Sequence, residues 1–234
     1  MTATDSLSIW LCVRRDIDWH QAPVLRRVPP TSDGFRAWCD GPVRRRDPVR
    51  AKRLLAAHTL ARADAVRRAP LDFALLATWQ REVLGRTEVP FRANDAYAKA
   101  GRERYGLTPH TQADFAACLR EATDPEVPPA ARAARVYLDV AFFHPFTDGN
   151  ARAALLTLVH VLAREDIVLP EVGPLQTIRY ADDPAGAADL ATLIGVLNRR
   201  RYGRPEAGGR RPVAADRGPV RPSSVVEQIR DGDR

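Results

Sequence analysis

An all-α fold is predicted for this chain by three observations. Successive stretches place apolar residues at helical spacing. Most of those stretches open on a cap residue or a proline and close on a glycine or proline, the start and stop signals of helices. Runs that alternate apolar and polar residues, the mark of a half-buried strand, are sparse.

The elements follow in chain order. Residues 1–46 are the least regular. Asp16, Asp18, Trp19 and His20 lie close together, and Pro23, Pro29 and Pro30 interrupt regular structure. Trp10, Trp19, Phe35 and Trp38 supply aromatic anchors, so this segment is expected to be an ordered extension packing on the core. The run Arg44-Arg45-Arg46 reads as a solvated face, with a partner or phosphate role as the alternative. Asp47-Pro48 then opens a helix, a cap followed by proline at the first helical position. It carries Leu54, Leu55, His58, Ala61 and Ala65 on one stripe and should end near Pro70; His58 on that stripe reads as a packed core residue rather than a ligand.

A second helix should begin near Asp72, with Phe73, Leu76, Trp79 and Val83 inward and Gly85 as its stop. A third starts around Thr111, with Phe115, Cys118 and Leu119. A fourth follows Pro128-Pro129 and turns Ala133, Val136, Tyr137 and Val140 to one side. A fifth runs from Asn150 to about Arg164, carrying Leu155, Leu156, Val159 and Leu162. The last covers about Ala185 to Arg200, started by Asp183-Pro184. Leu175, Ile178 and Tyr180, just before it, fit either a short strand or a packed loop. Residues 47–201 therefore form the helical domain. From 202 to 234 the composition turns to Gly, Pro and Arg, and this stretch reads as a disordered tail.

A chain of 234 residues is enough for one sizeable core with extensions. No apolar run approaches the roughly 18–20 residues needed to span a bilayer. Ile9 to Val13 is too short for a signal sequence and lacks a basic start, so a cytoplasmic protein with no membrane partner is expected. The net charge of +7 comes almost wholly from arginines scattered among acids. A nucleic-acid footprint would be a basic stripe, so nucleic acid is not an expected partner. Cys12, Cys39 and Cys118 make no CxxC pair, which points to free thiols rather than disulfides or a metal site.

One stretch concentrates chemistry: His144-Pro145-Phe146-Thr147-Asp148-Gly149-Asn150-Ala151-Arg152. Gly149 permits a tight turn. Asn150 sits where a helix begins and is a good N-cap. The first N–H groups of that helix form a ready anion site, and Arg152 adds a positive fork suited to phosphate. Asp148 is placed to hold Mg²⁺ at such a site. His144 can take a proton near neutral pH. Base, metal ligand and phosphate cradle together suggest phosphoryl or nucleotidyl transfer.

This loop resembles the signature of the Fic/Doc (Fido) family, His-Pro-Phe-x-Asp/Glu-Gly-Asn-x-Arg. The strong resemblance covers roughly residues 130–164, and a weaker one in layout reaches back to about residue 70. It implies a Fic-type helical bundle with a small β-hairpin flap over the active site. The stretch from Glu88 to Asn94 stands where the family has its flap, which would make Val89, Phe91 and Arg92 target-docking residues through strand addition. Lys99 to Gly106 reads as a solvated connector, with a lining of the nucleotide pocket as the alternative. The resemblance further implies ATP or another nucleoside triphosphate as co-substrate and Mg²⁺ on Asp148. Phosphates would lie on Gly149, Asn150, Ala151 and Arg152. His144 would activate a Ser, Thr or Tyr hydroxyl of a protein substrate. Pro145 would stiffen the loop and Phe146 anchor it.

Two departures bear on the reaction. Ala151 replaces a Gly or Lys, which still leaves its N–H available. Leu155 stands where AMP-transferring members carry a second arginine that grips the γ-phosphate. Doc-type members also lack that arginine and transfer the γ-phosphate instead, which keeps a Doc-like kinase or toxin, with an antitoxin partner, as the alternative. An idle Fic-fold module that binds nucleotide or partner is the third reading. Ser223 and Glu227 match half of the family's inhibitory-helix pattern, while Gln228 departs from it.

Overall fold

In the computed structural model, residues 5–27 and 32–199 are described. The helix boundaries follow from their caps. Helix α1 (Ser6–Asp16) starts on Asp5, whose carboxylate accepts from the Leu7 and Ser8 N–H groups. Helix α2 (Gly34–Trp38) starts on Asp33 and runs through a π-turn (Cys39–Val43) into the short α3 (Arg44–Arg46). In α4 (Pro48–Val66) the Asp47 carboxylate accepts from Arg50 N–H at 2.9 Å. In α5 (Phe73–Leu84) Asp72 accepts from Leu75 N–H at 2.8 Å, and Gly85 closes the helix with φ +63°, as its sequence position predicts. Helix α4 ends short of Pro70 because Arg68 turns left-handed at φ 52°.

A small antiparallel sheet follows, β1 (Ala96–Ala98) and β2 (Glu103–Tyr105), with Tyr97 opposite Arg104. Then come α6 (Thr111–Glu121), α7 (Pro129–Phe143), α8 (Asn150–Ala163) and α9 (Pro184–Arg199). A 3₁₀ turn (Gly173–Gln176) takes the place left open between strand and loop; Leu175 is buried in it and Ile178 is exposed. The fold is thus helical with one small hairpin.

Helix α7 is the axis of the core. It is buried on nearly every side and packs against α6, α8 and α9, while α4 and α5 pack on α8. The N-terminal segment enters the same hydrophobic cluster through Trp10, Trp19, Phe35 and Cys39. Its attachment to α7 is also polar. The Asp139 carboxylate, fully buried, accepts from Trp10 Nε1 at 2.9 Å and from Arg14 Nε at 2.8 Å. All three cysteines are free, with Cys39 and Cys118 buried. Among the described residues no helix is long and apolar enough to cross a membrane. Ser223, Glu227 and the rest of 202–234 lie outside the described residues.

The hairpin corrects one expectation. It lies at 96–105, not at 88–94. Residues Lys99, Ala100 and Gly101 all take positive φ (56°, 56° and 83°) and reverse the chain there. The outer edge of β2 is covered by a bridge from Asp5 to Arg104, which leaves the outer edge of β1 without a strand partner among the described residues.

Candidate active site

The site is built where α7 ends and α8 begins. His144 stops α7 by adopting the left-handed conformation, φ 50° and ψ 51°. For a residue with a Cβ this costs on the order of 1–2 kcal/mol, the kind of strain found at functional positions. The turn swings the imidazole against Tyr105 of β2, with ring centroids 5.4 Å apart and planes 24° from parallel. Its Nδ1 lies 3.3 Å from the Ala141 carbonyl oxygen. A carbonyl only accepts, so Nδ1 carries the hydrogen in this contact and Nε2 keeps its lone pair. Burial pushes the His144 pKa below its ordinary value; the Ala141 carbonyl opposes this, and the Arg92 and Lys99 cations add to it. Burial and the two cations both favour the neutral ring, the form in which an imidazole can accept a proton.

The loop after it is tied down from inside. Phe146 is buried and stacks on Phe73 at 5.4 Å. Asn150 corrects its expected role. It is buried, and its amide accepts from Phe146 N–H at 2.9 Å and donates to Phe146 O at 2.8 Å. The cap position belongs to Gly149, at φ 78°. Asn150 thus staples the loop, and only its backbone is left for phosphate. The amides of Asn150 and Ala151 precede the first helical acceptor, whereas Arg152 N–H already reaches Gly149 O at 3.0 Å.

Asp148 is exposed and pairs with Arg152 Nη2 at 3.1 Å. Among the described residues no group of three or more His, Cys, Asp or Glu is placed to hold a metal ion. A lone carboxylate suits Mg²⁺ carried in by substrate phosphates, which commonly meets protein through one or two carboxylates.

The three residues assigned to target docking are placed otherwise. Arg92 is buried and donates to three carbonyls: Phe143 through Nε at 3.2 Å, Gly106 through Nη2 at 2.9 Å, and Asn94 through Nη1. Its N–H also donates to Pro145 O at 2.8 Å. It ties the hairpin approach to the motif loop through backbone carbonyls. Phe91 packs between Phe73 and Phe115, and Val89 is half-buried against the core.

Two cavities flank the loop and share Gln176. One, of about 220 Å³, is largely apolar and holds His144, Ala151, Tyr105, Tyr137, Lys99 and Arg179 on its walls. The other, of about 410 Å³, is lined by Asp148 and Arg152 together with Arg46, Asp47, Arg50 and Trp38.

Several residues here escaped the sequence reading. Gln80, fully buried on α5, donates to Asp148 O at 2.7 Å and so fixes the cap. The signal for it was a polar residue on the buried face of Leu76, Trp79 and Val83. Lys99 and Glu103 are paired and half-buried to buried, and the Tyr105 hydroxyl donates to Glu103. The segment is the hairpin itself rather than a solvated connector.

Residues 70–162 match the family model described as Fic/DOC family. Among solved structures the chain is similar to IbpAFic2 covalently tethered to Cdc42, with TM-score 0.53, 13% identity, and coverage of 82% of this chain and 70% of that one. It is also similar to a variant of IbpAFic2 in complex with adenylylated Cdc42, with TM-score 0.52, 12% identity, and coverage of 84% and 70%. At that identity the likeness is one of fold. No curated protein matches the chain.

Proposed function

We propose, for a chain whose residues 70–162 belong to the Fic/DOC family, that it transfers AMP, or another nucleotide-derived phosphoryl group, to a Ser, Thr or Tyr hydroxyl of a target protein. The observation that carries this reading is the placement of the His144 ring: Nδ1 is held by the Ala141 carbonyl, Nε2 is free of that contact, and the ring lines one cavity with Asn150 and Ala151, whose amides open α8. A base next to an anion cradle is what phosphoryl-group transfer requires.

In the AMP-transfer form, the target oxygen bonds to the α-phosphorus. The bond from that phosphorus to the bridging oxygen of the β-phosphate breaks, and pyrophosphate leaves. The hydroxyl proton passes to His144 Nε2. The Asn150 and Ala151 amides and the Arg152 guanidinium meet the charge that builds on the phosphoryl oxygens. Mg²⁺ bound with ATP at Asp148 would neutralise phosphate charge, with Arg152 released from Asp148 toward the phosphates. The apolar cavity beside His144 suits a nucleobase. The target chain would add along the outer edge of β1, by backbone hydrogen bonds that do not depend on its side chains. The adenylylated Cdc42 bound to the similar IbpAFic2 supports a protein as acceptor.

A second reading is favoured by Leu155. It is buried at 1% exposure and offers no charge to a γ-phosphate, which fits a Doc-like transfer of that phosphate. Purified chain, Mg²⁺ and cell lysate, with ATP labelled at the α or the γ position, decide the matter. Label from α supports AMP transfer, and label from γ alone supports the kinase reading. No label above a His144→Ala control from either position would sink both.

A further inference from the structure

We infer that Arg46 and Arg50 form a second cationic clamp that holds the terminal phosphates of the nucleotide and so orients its α-phosphorus toward His144. The inference rests on the nucleotide reading above. Both arginines line the 410 Å³ cavity with Asp148 and Arg152, so the N-terminal segment and the start of α4 reach the same space as the motif loop.

The charges in that cavity are not internally settled. Arg44, in the same run, is matched by Asp40 at 2.5 Å. Arg46 has no carboxylate partner among the described residues. Arg50 is held only loosely, by Asp47 at 3.4 Å. Three guanidinium groups therefore face two carboxylates in a space with Trp38, Val43 and Leu54 as apolar walls. Three guanidinium groups gathered on one concave surface raise the local attraction for an anion even where solvent reaches them. A polyphosphate end carrying several negative charges, with a cation at Asp148, complements this set. A nucleobase does not.

The placement also gives direction. His144, Asn150 and Ala151 border the apolar cavity, while Asp148 and Arg152 border the basic one. A nucleotide with its base in the first and its terminal phosphates in the second lies across the loop with the α-phosphorus nearest His144. Pyrophosphate then leaves into the arginine-lined cavity. Leu155 is buried in the core, so α8 brings no second arginine to the phosphates; Arg46 and Arg50 supply that charge from another part of the chain.

Titration calorimetry on the full chain carrying His144→Ala, with Mg²⁺ and either ATP or AMP, tests the clamp. Adding Arg46→Ala and Arg50→Ala should weaken ATP binding roughly 10–100-fold, as expected for charge-assisted contacts. AMP binding should not change. In the active chain, transfer from α-labelled ATP should fall in parallel and recover in part with lysine at both positions. Both side chains are exposed, so the melting temperature should hold. Unchanged ATP affinity in the double variant, with Arg152→Ala still losing ATP, would overturn the clamp and leave the nucleotide reading standing. Equal loss of ATP and AMP would also overturn it. A parent that binds no ATP would sink the nucleotide reading, and the clamp with it.

Discussion

Three features act on the His144 ring and fit it for the base role proposed above. Its left-handed backbone aims it at Tyr105, the Ala141 carbonyl holds Nδ1, and burial lowers its pKa. The sign of the pH dependence follows. A base whose pKa is depressed stays deprotonated through neutral pH, so transfer should be flat there. It should fall only as pH drops below the ordinary histidine value of about 6.5. Initial rates from pH 5 to 8 check this, and a midpoint above about 6.5 would contradict it. Asn150 offers a second residue-scale prediction. Asn150→Ala removes both bonds to Phe146 and leaves buried backbone groups unpaired, which should cost about 2–4 kcal/mol. Denaturant unfolding measures it, and a loss under about 1 kcal/mol would show that the loop closes without the staple. His58 makes the third. It is buried, stacked on Phe35 at 4.4 Å, and its pKa is pushed down to about 4 mainly by burial. The unfolded chain takes up a proton near pH 6.5 that the folded chain refuses. Stability from this group is therefore full above about pH 6.5 and is lost as pH falls toward 4. Replacing His58 with Phe should flatten the pH dependence of the denaturant midpoint across that window.

At the scale of elements, the helices could be read in the sequence; the hairpin was expected from the resemblance, but its place in the chain could not be read. Asp47, Asp72 and Gly85 are punctuation that acts locally, through one carboxylate or one φ, so they mean the same thing in any fold. Strands of three residues carry too few positions to show a period, and this hairpin depends on partners far away in sequence. Arg92 shows the same limit from the other side. Its charge suggested a ligand, but burial among the Phe143, Asn94 and Gly106 carbonyls is a tertiary fact. The motif residues were legible because their chemistry is local to one loop. Gln80 and Arg50 were not, because they reach that loop from other elements, and Arg46 was legible only through the alternative reading of its arginine run. A prediction belongs at this scale. Arg92→Met keeps the apolar stem and removes every carbonyl bond from the side chain. The hairpin should loosen, seen as faster hydrogen exchange at residues 96–105, and turnover should fall by roughly 10–100-fold, as expected when a base is mispositioned. Unchanged exchange would mean that the hairpin is held without the Arg92 bonds.

For the molecule as a whole, the question is what joins the N-terminal segment to the helices that carry the site, since that segment also brings Arg46. Its strongest polar tie is buried. Asp139, in the middle of α7, has no exposed surface and is held by Arg14 and Trp10 from α1. Arg14 also reaches Glu121 of α6 at 2.8 Å, so one guanidinium bridges three helices. A buried ion pair contributes little net stability relative to apolar groups of the same shape, because desolvation offsets the attraction. Removing one partner alone is costly, since the other charge stays buried. Arg14→Met should therefore destabilise the protein by about 3–5 kcal/mol. Adding Asp139→Leu should recover more than half of that loss, because no buried charge then remains. The recovery stops short of complete because the Trp10 indole N–H loses its acceptor, at about 1–3 kcal/mol. Denaturant unfolding of the two variants and the parent measures the loss and the recovery. If the double variant proves less stable than Arg14→Met, then the pair does more than avoid an uncompensated charge: it holds α1 in register on α7. In that case the ATP affinity proposed for the cavity lined by Arg46 and Arg50 should fall in the same variant, because Trp38, Val43 and Arg46 on its walls come from the segment that α1 anchors.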